Sequence, residues 1–196
     1  MSATKITDAS PENTLENNIE SLMGVLGKLK KCSRDLKKSV QMIKTVLKKN
    51  GKILIFGNGG SAADANHFAA EIVCRFEKNR KAMAAISLNT DTSVITSIGN
   101  DLGYKNIFSR QIEAVGTRDD VAIAISTSGK SENIIAACKS ARKKKMKIIA
   151  LTGKHGLSKK NSADIVIAVP SAKTARIQEA HALILHTICG LLENDM

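Results

Sequence analysis

Five short apolar runs, at 53–56, 83–88, 121–126, 147–152 and 165–169, alternate with helically patterned segments along this chain. Each run is too short for a buried helix and, as in VAIAIS and KIIALT, is apolar at consecutive positions rather than every second one. That pattern is expected of strands buried on both faces, which are parallel strands joined by helical crossovers. The spacing therefore predicts a three-layer α/β/α sandwich around a five-stranded parallel sheet. Further helices are expected around 92–98, from 104 to 115, from 131 to 145 and from 174 to 193.

Ahead of the first strand, residues 1–12 read as a loose leader. Leu15, Ile19, Leu22, Met23, Leu26 and Leu29 then recur at helical spacing. A second amphipathic segment carries Leu36, Val40, Ile43, Val46 and Leu47 and stops at Asn50-Gly51, a helix C-cap signal. With no strand before them to cross over from, these two helices either pack on the sheet or form a subunit interface. The expected organisation is one domain over 1–196, with a helical segment at 1–50 and the α/β core at 51–196.

Composition excludes several classes. No stretch approaches 18 consecutive apolar residues and the N-terminus has no apolar signal core, so neither membrane nor export is expected and the chain reads as cytoplasmic. The four cysteines, Cys32, Cys74, Cys138 and Cys189, form no C-x-x-C pair and read as reduced, buried thiols. The net charge of +12 comes from dispersed lysines with no aromatic residues interleaved. It reads as a solvated surface, not a nucleic-acid platform.

In an open parallel sheet, ligands bind beyond the carboxyl ends of the strands. Two loops stand there. The first, Gly57-Asn58-Gly59-Gly60-Ser61, joins a strand to a helix start, whose free N–H groups and dipole suit an anion. The second, Ser126-Thr127-Ser128-Gly129-Lys130-Ser131, supplies hydroxyls beside another helix start, fitting a phosphate monoester. The plainer alternative for Ser131 is an N-cap alone.

Two nucleotide readings fail in these loops. Gly57-x-Gly59-x-x-Ala62 fits a permissive dinucleotide fingerprint, but Ser87-Leu88-Asn89 stands where an acidic residue is required. Gly129-Lys130-Ser131 resembles the end of a phosphate-binding loop, yet the first glycine would fall on Ala124, inside a strand.

His67 and Glu71, at i and i+4, share one helix face and could be a metal pair, an acid/base pair or an ordinary ion pair. The last helix offers Gln178, Glu179, His181 and His186.

GNGGSAADANHFAAE, SIGNDLGYKNIFSRQIEAVG, ISTSGKSENI and RIQEAHALILH together resemble the phosphoheptose isomerase family of the sugar isomerase (SIS) superfamily, over nearly the whole chain. The resemblance implies a flavodoxin-like SIS fold and conversion of sedoheptulose 7-phosphate to D-glycero-D-manno-heptose 7-phosphate, for lipopolysaccharide or capsule. It places Glu71 and His186 on acid/base positions. His67, Glu71, Gln178 and His186 fall on metal positions, implying one zinc per subunit with other divalent ions possible. Asn58, Gly59, Gly60, Glu71, Asn100, Asp101, Ser126, Thr127, Ser128, Ser131 and Gln178 fall on substrate-contact positions. It also implies a homotetramer whose active sites lie at subunit interfaces, assembled partly through the N-terminal helices. Lys130 departs from the family pattern, where Asn is frequent.

The chemistry agrees with the residue types. Ketose–aldose interconversion moves a proton between adjacent carbons through an enediol(ate), a task for a carboxylate and an imidazole. Gln178 and His186, eight residues apart, are separated by about 12 Å along a straight helix, which does not predict that both hold one ion. Two other readings remain: a non-catalytic SIS protein binding a partner such as a replication initiator, and an isomerase of another sugar phosphate.

Overall fold

The computed structural model describes residues 10–157 and 163–194. The sheet contains β1 (Ile53–Gly57), β2 (Ala85–Ser87), β3 (Val121–Ser126), β4 (Lys147–Thr152) and β5 (Ile165–Ala168), all parallel, in the order β2-β1-β3-β4-β5. The helices are α1 (Pro11–Leu29), α2 (Ser33–Lys48), α3 (Gly60–Val73), α4 (Thr92–Leu102), α5 (Ser109–Val115), α6 (Glu132–Lys143) and α7 (Thr174–Glu193).

Alternation along each strand divides the core in two. Ile53 and Ile55 of β1 join Val121, Ile123 and Ile125 of β3 on the face covered by α2, α3 and α7. Leu54 and Phe56, with Ala122 and Ala124, face α4, α5 and α6. The small alanines of β3 leave room there for Phe56 and Phe108, whose ring centroids lie 5.3 Å apart. Every residue of β1 and β3 is buried, which is why these strands read as unbroken apolar runs.

The strand order places the topological switch point between β1 and β3: the chain leaves β1 toward β2 on one side, then returns to build β3, β4 and β5 on the other. At the opposite end of the same two strands, buried Asp120 fixes their pairing. Its Oδ1 accepts from Lys52 N (2.9 Å) and its Oδ2 from Lys52 Nζ (2.7 Å), Thr117 N (2.8 Å) and Thr117 Oγ1 (2.9 Å).

Several boundaries differ from expectation. The run at 83–88 yields a strand of only three residues, because β2 is an edge strand with β1 as its sole partner. The helix expected over 104–115 breaks into a single 3-10 turn at Tyr104–Asn106 and the short α5. Gly103 turns the chain there at φ 84°, and Asn106 Nδ2 donates to Leu102 O. The first helix begins inside the expected leader, at Pro11, with Ser10 Oγ accepting from Asn13 N; residues 1–9 of that leader lie outside the described residues. α2 ends as its Asn50-Gly51 signal requires, Asn50 taking φ 60°.

α2 packs on the sheet, whereas α1 lies against α7 and leaves Leu15, Ile19 and Met23 exposed. Cys138 and Cys189 are buried, and burial pushes both thiols up to about 12. Cys74, expected to be buried, is exposed because it caps the end of α3. No described helix is long and apolar enough to cross a membrane.

Candidate active site

Both candidate loops leave the sheet at the switch point, one after β1 and one after β3. Gly59 caps α3 at φ 57°, ψ −123°, a conformation open essentially to glycine. Gly60 begins the helix with the Gln178 side chain lying directly against it. Asn58 is held in a reciprocal amide pair with buried Asn133: its Nδ2 donates to Asn133 Oδ1 (2.9 Å) and its Oδ1 accepts from Asn133 Nδ2 (2.8 Å). Tyr104 OH donates to the same Asn58 Oδ1 at 3.2 Å. Asn89 clasps the Gly57 backbone, accepting from its N–H at 3.1 Å and donating to its carbonyl at 2.9 Å. The position where a dinucleotide site would carry an acid is thus occupied by a structural amide.

In the second loop, Ser126 Oγ accepts from Gly129 N at 3.1 Å and lies 3.4 Å from Ser131 Oγ. Ser131 stands at the N-cap of α6 but makes no side-chain capping bond. Its hydroxyl is turned toward the loop, which disfavours the plain N-cap reading. Ser128 Oγ accepts from Lys130 N, while the Lys130 side chain is exposed beside Lys105 and Lys139 around a cavity of about 210 Å³.

α3 and α7 run side by side in the same direction, so Gln178 is level with Gly60 and His186 with His67. The imidazoles of His67 and His186 meet with their Nε2 atoms 3.0 Å apart. Glu71 Oε1 lies 3.5 Å from His67 Nε2. Two imidazole nitrogens at that separation either share one proton donor or face a common cation, for which metal–nitrogen bonds of about 2.0–2.1 Å would fit. Asp64, one turn before His67, completes the cluster; its Oδ2 is buried without a hydrogen-bond partner. Burial raises the Asp64 carboxyl, and His67 and His186 partly offset this. Asp64, His67 and His186 line a cavity of about 440 Å³ with Ala63, Ala182 and Leu185. A larger cavity of about 610 Å³ lies between the β2 edge, α4 and α5, away from the switch point and lined largely by apolar side chains.

The structure therefore brings His67, Glu71 and His186 together and places Gly59, Gly60 and Gln178 at the first loop. Within this chain Gln178 does not join the histidines, and among the described residues no three His, Cys, Asp or Glu stand in metal-binding geometry. Asn100 and Asp101 lie exposed at the end of α4, hydrogen-bonded to each other at 2.7 Å. It is Tyr104, three residues beyond, that reaches Asn58. His181 is fully buried, its Nε2 3.2 Å from Thr152 O. Burial holds its pKa down at about 4, so it is a neutral core residue.

Sequence reading missed Asp64, Asn133, Tyr104 and Phe76. Asp64 was reachable, since it stands at i−3 from His67 on the same face. Phe76 carries no such signal; its ring stacks on His186, centroids 5.4 Å apart and planes at 26°.

The family model for the SIS domain matches residues 19–153. The chain is 53% identical over 156 residues to a phosphoheptose isomerase of Campylobacter jejuni, covering 80% of this chain and 84% of that protein. The chain belongs to the phosphoheptose isomerase family. A Helicobacter pylori member is 49% identical over 158 residues, covering 81% of this chain and 82% of its own. Among solved structures, the phosphoheptose isomerase of Neisseria gonorrhoeae superposes with a TM-score of 0.87 at 37% identity, covering 94% of this chain and all of that one. The Francisella tularensis enzyme gives 0.90 at 33%, covering 95% and 100%. The family's fold and the α/β sheet described above are the same.

Proposed function

We propose that this protein interconverts D-sedoheptulose 7-phosphate and D-glycero-D-manno-heptose 7-phosphate, an aldose–ketose isomerisation that supplies heptose for surface polysaccharide. The observation that carries this reading is that the Glu71–His67–His186 cluster begins about 10 Å along α3 from the Gly59–Gly60 loop, which stands beside the Ser126–Ser131 phosphate loop at the switch point. A phosphate held at one end and an acid/base pair at the other define a substrate with its carbonyl remote from its phosphate.

In this mechanism Ser126, Thr127, Ser128 and Ser131, with the α6 N-terminus, hold the phosphate. Asn58, Gly59, Gly60 and Gln178 line the sugar, with Asn100 and Asp101 contributing from the end of α4. Glu71 removes the carbon-bound proton beside the carbonyl and returns it to the neighbouring carbon. His186 exchanges a proton with the sugar oxygens. Each group is worth about 10²–10⁴-fold, and phosphate anchoring converts remote binding energy into orientation.

A divalent metal, zinc in the first instance, would be held by the facing Nε2 atoms of His67 and His186, with Glu71 drawn in from beside His67 as a further ligand. When bound it polarises the carbonyl and stabilises enediolate charge. Gln178 would reach such a cluster by leaving Gly60 or by crossing to a neighbouring copy. The chain acts as one unit, in the cytoplasm, as a homotetramer; the exposed Leu15, Ile19 and Met23 of α1 with Leu183 of α7 support an interface there.

The test is turnover of sedoheptulose 7-phosphate by the purified full-length chain, set against five- and six-carbon ketose phosphates. Preferential turnover of the seven-carbon substrate supports the proposal. Faster turnover of a shorter one would reassign the substrate, and none with any of them would point to a binding protein.

A further inference from the structure

The segment between α3 and β2 makes a set of contacts that the fold does not require of a surface loop. Glu193, the last residue of α7, turns its carboxylate onto this segment: Oε1 accepts from Phe76 N at 2.7 Å, and Oε2 from Glu77 N and Lys78 N, each at 2.9 Å. Arg80 Nε lies 3.2 Å from Glu193 Oε1, with both side chains almost fully buried at 7% and 1% exposure. The other end of that guanidinium donates from Nη2 to Glu71 O at 2.7 Å, in the last turn of α3 where backbone carbonyls lack helical partners. Phe76, pinned by its backbone, lays its ring on His186. Gly190, one turn beyond His186, lies beside the same ring.

We infer that the buried Arg80–Glu193 pair is a positioning device for both halves of the acid/base pair, setting the Glu71 backbone directly and the His186 ring through Phe76. The inference rests on the roles proposed above for Glu71 and His186. Each of the three positioning residues acts on the acid/base pair through another group. Arg80 acts through the α3 terminus, Glu193 through three N–H groups, and Phe76 through one face of an imidazole. Arginine suits this place because its extended guanidinium pairs ionically with the Glu193 carboxylate at one edge while donating to the Glu71 carbonyl at the other, which a compact lysine ammonium does not reproduce. Aromatic stacking limits the imidazole to one ring plane, which is what a proton carrier at fixed distance needs.

Phe76→Leu keeps apolar bulk but removes the flat ring, and Phe76→Tyr restores it. In zinc-supplemented full-length protein, Phe76→Leu is expected to lower kcat by roughly 3–10-fold with KM changed less than about twofold. Phe76→Tyr and wild type are expected to agree. Arg80→Lys should lower kcat in the same way. A second readout needs no metal and no turnover: the carbon-bound ring protons of His186, assigned by their loss in His186→Gln, shift in Phe76→Leu and return in Phe76→Tyr. Unchanged kcat and unchanged His186 resonances in a folded Phe76→Leu overturn the inference, as does a Phe76→Tyr as impaired as Phe76→Leu. A wild type without turnover, or a fully active His186→Gln, overturns instead the acid/base reading beneath it, and this inference with it.

Discussion

Replacing Gly60 by alanine should separate activity from stability. Gly60 is the first residue of α3 and does not take a positive φ, so alanine can adopt its backbone. That exchange favours alanine by up to about 1 kcal/mol in a helix interior and by a smaller part of it at this first helical position. The added Cβ would meet the Gln178 side chain, closest at Nε2, with Cδ at 2.8 Å and Oε1 at 3.0 Å. These atoms are the far end of a flexible side chain, so Gln178 moves aside at a rotamer strain of about 0.5–1.5 kcal/mol. The two terms nearly cancel, and the melting temperature should stay within about 4 °C of wild type. Activity should not survive equally, because Gln178 no longer stands over the cradle. Losing one hydrogen bond to the neutral sugar, about 0.5–1.5 kcal/mol, predicts a fall of roughly 2–10-fold in kcat/KM. Gly59→Ala is the control: no atom lies within 4 Å of its Cβ, but its backbone at φ 57° strains alanine by about 1–3 kcal/mol. Thermal melts and steady-state kinetics on both variants decide the matter. A Gly60→Ala protein that melts far below Gly59→Ala while keeping full kcat/KM would refute this placement of Gln178.

Two further expectations concern pH and the far end of the sheet. His181 titrates near 4 when folded but near 6.5 when unfolded, so its contribution to stability is complete above about pH 6.5 and is lost as pH falls toward 4; denaturant unfolding of wild type and His181→Phe should show the wild type losing up to about 3 kcal/mol more between pH 7 and 4, and parallel curves would contradict a buried neutral imidazole. Asp120→Asn should cost about 2–4 kcal/mol, since four donors lose a buried carboxylate. Although burial opposes ionisation of Asp120, its bonds from Lys52 and Thr117 hold the carboxyl below its usual value, so that stability is present above about pH 4 and lost below it; an Asp120→Asn midpoint equal to wild type at pH 7 would contradict the clamp.

The sheet was legible because burial on both faces leaves a mark in the sequence. Runs such as 121–126 and 147–152 have nowhere polar to place a side chain, and their alternation with helices marked the sheet as parallel; the strand order, and with it the position of the switch point, is set by pairing between distant strands. The histidine–glutamate pair on α3 was legible for a similar reason, since four residues apart on a helix means side by side. What escaped the sequence depends on contacts between distant elements. Asn58 and Asn133 lie 75 residues apart, and neither carries a local sign of the other. Phe76 and His186 meet only because α3 and α7 run in the same direction, with Glu193 pulling the intervening loop onto the helix. The break at 103–108 was hidden because consecutive buried residues, Ile107 and Phe108, satisfy a helical pattern while Gly103 turns the backbone elsewhere. The span between Gln178 and His186, by contrast, was arithmetic on a helix, and the structure places them accordingly at two different parts of the site.

The measurement that bears most directly on the account is isomerisation of sedoheptulose 7-phosphate by wild type, Glu71→Gln and His186→Gln, each stripped of metal and then restored with zinc. Turnover is expected in the restored wild type, with losses of at least about 100-fold in both variants and unaltered folding. A restored wild type that is folded but inert, or a Glu71→Gln variant that turns over at the wild-type rate, would contradict the account.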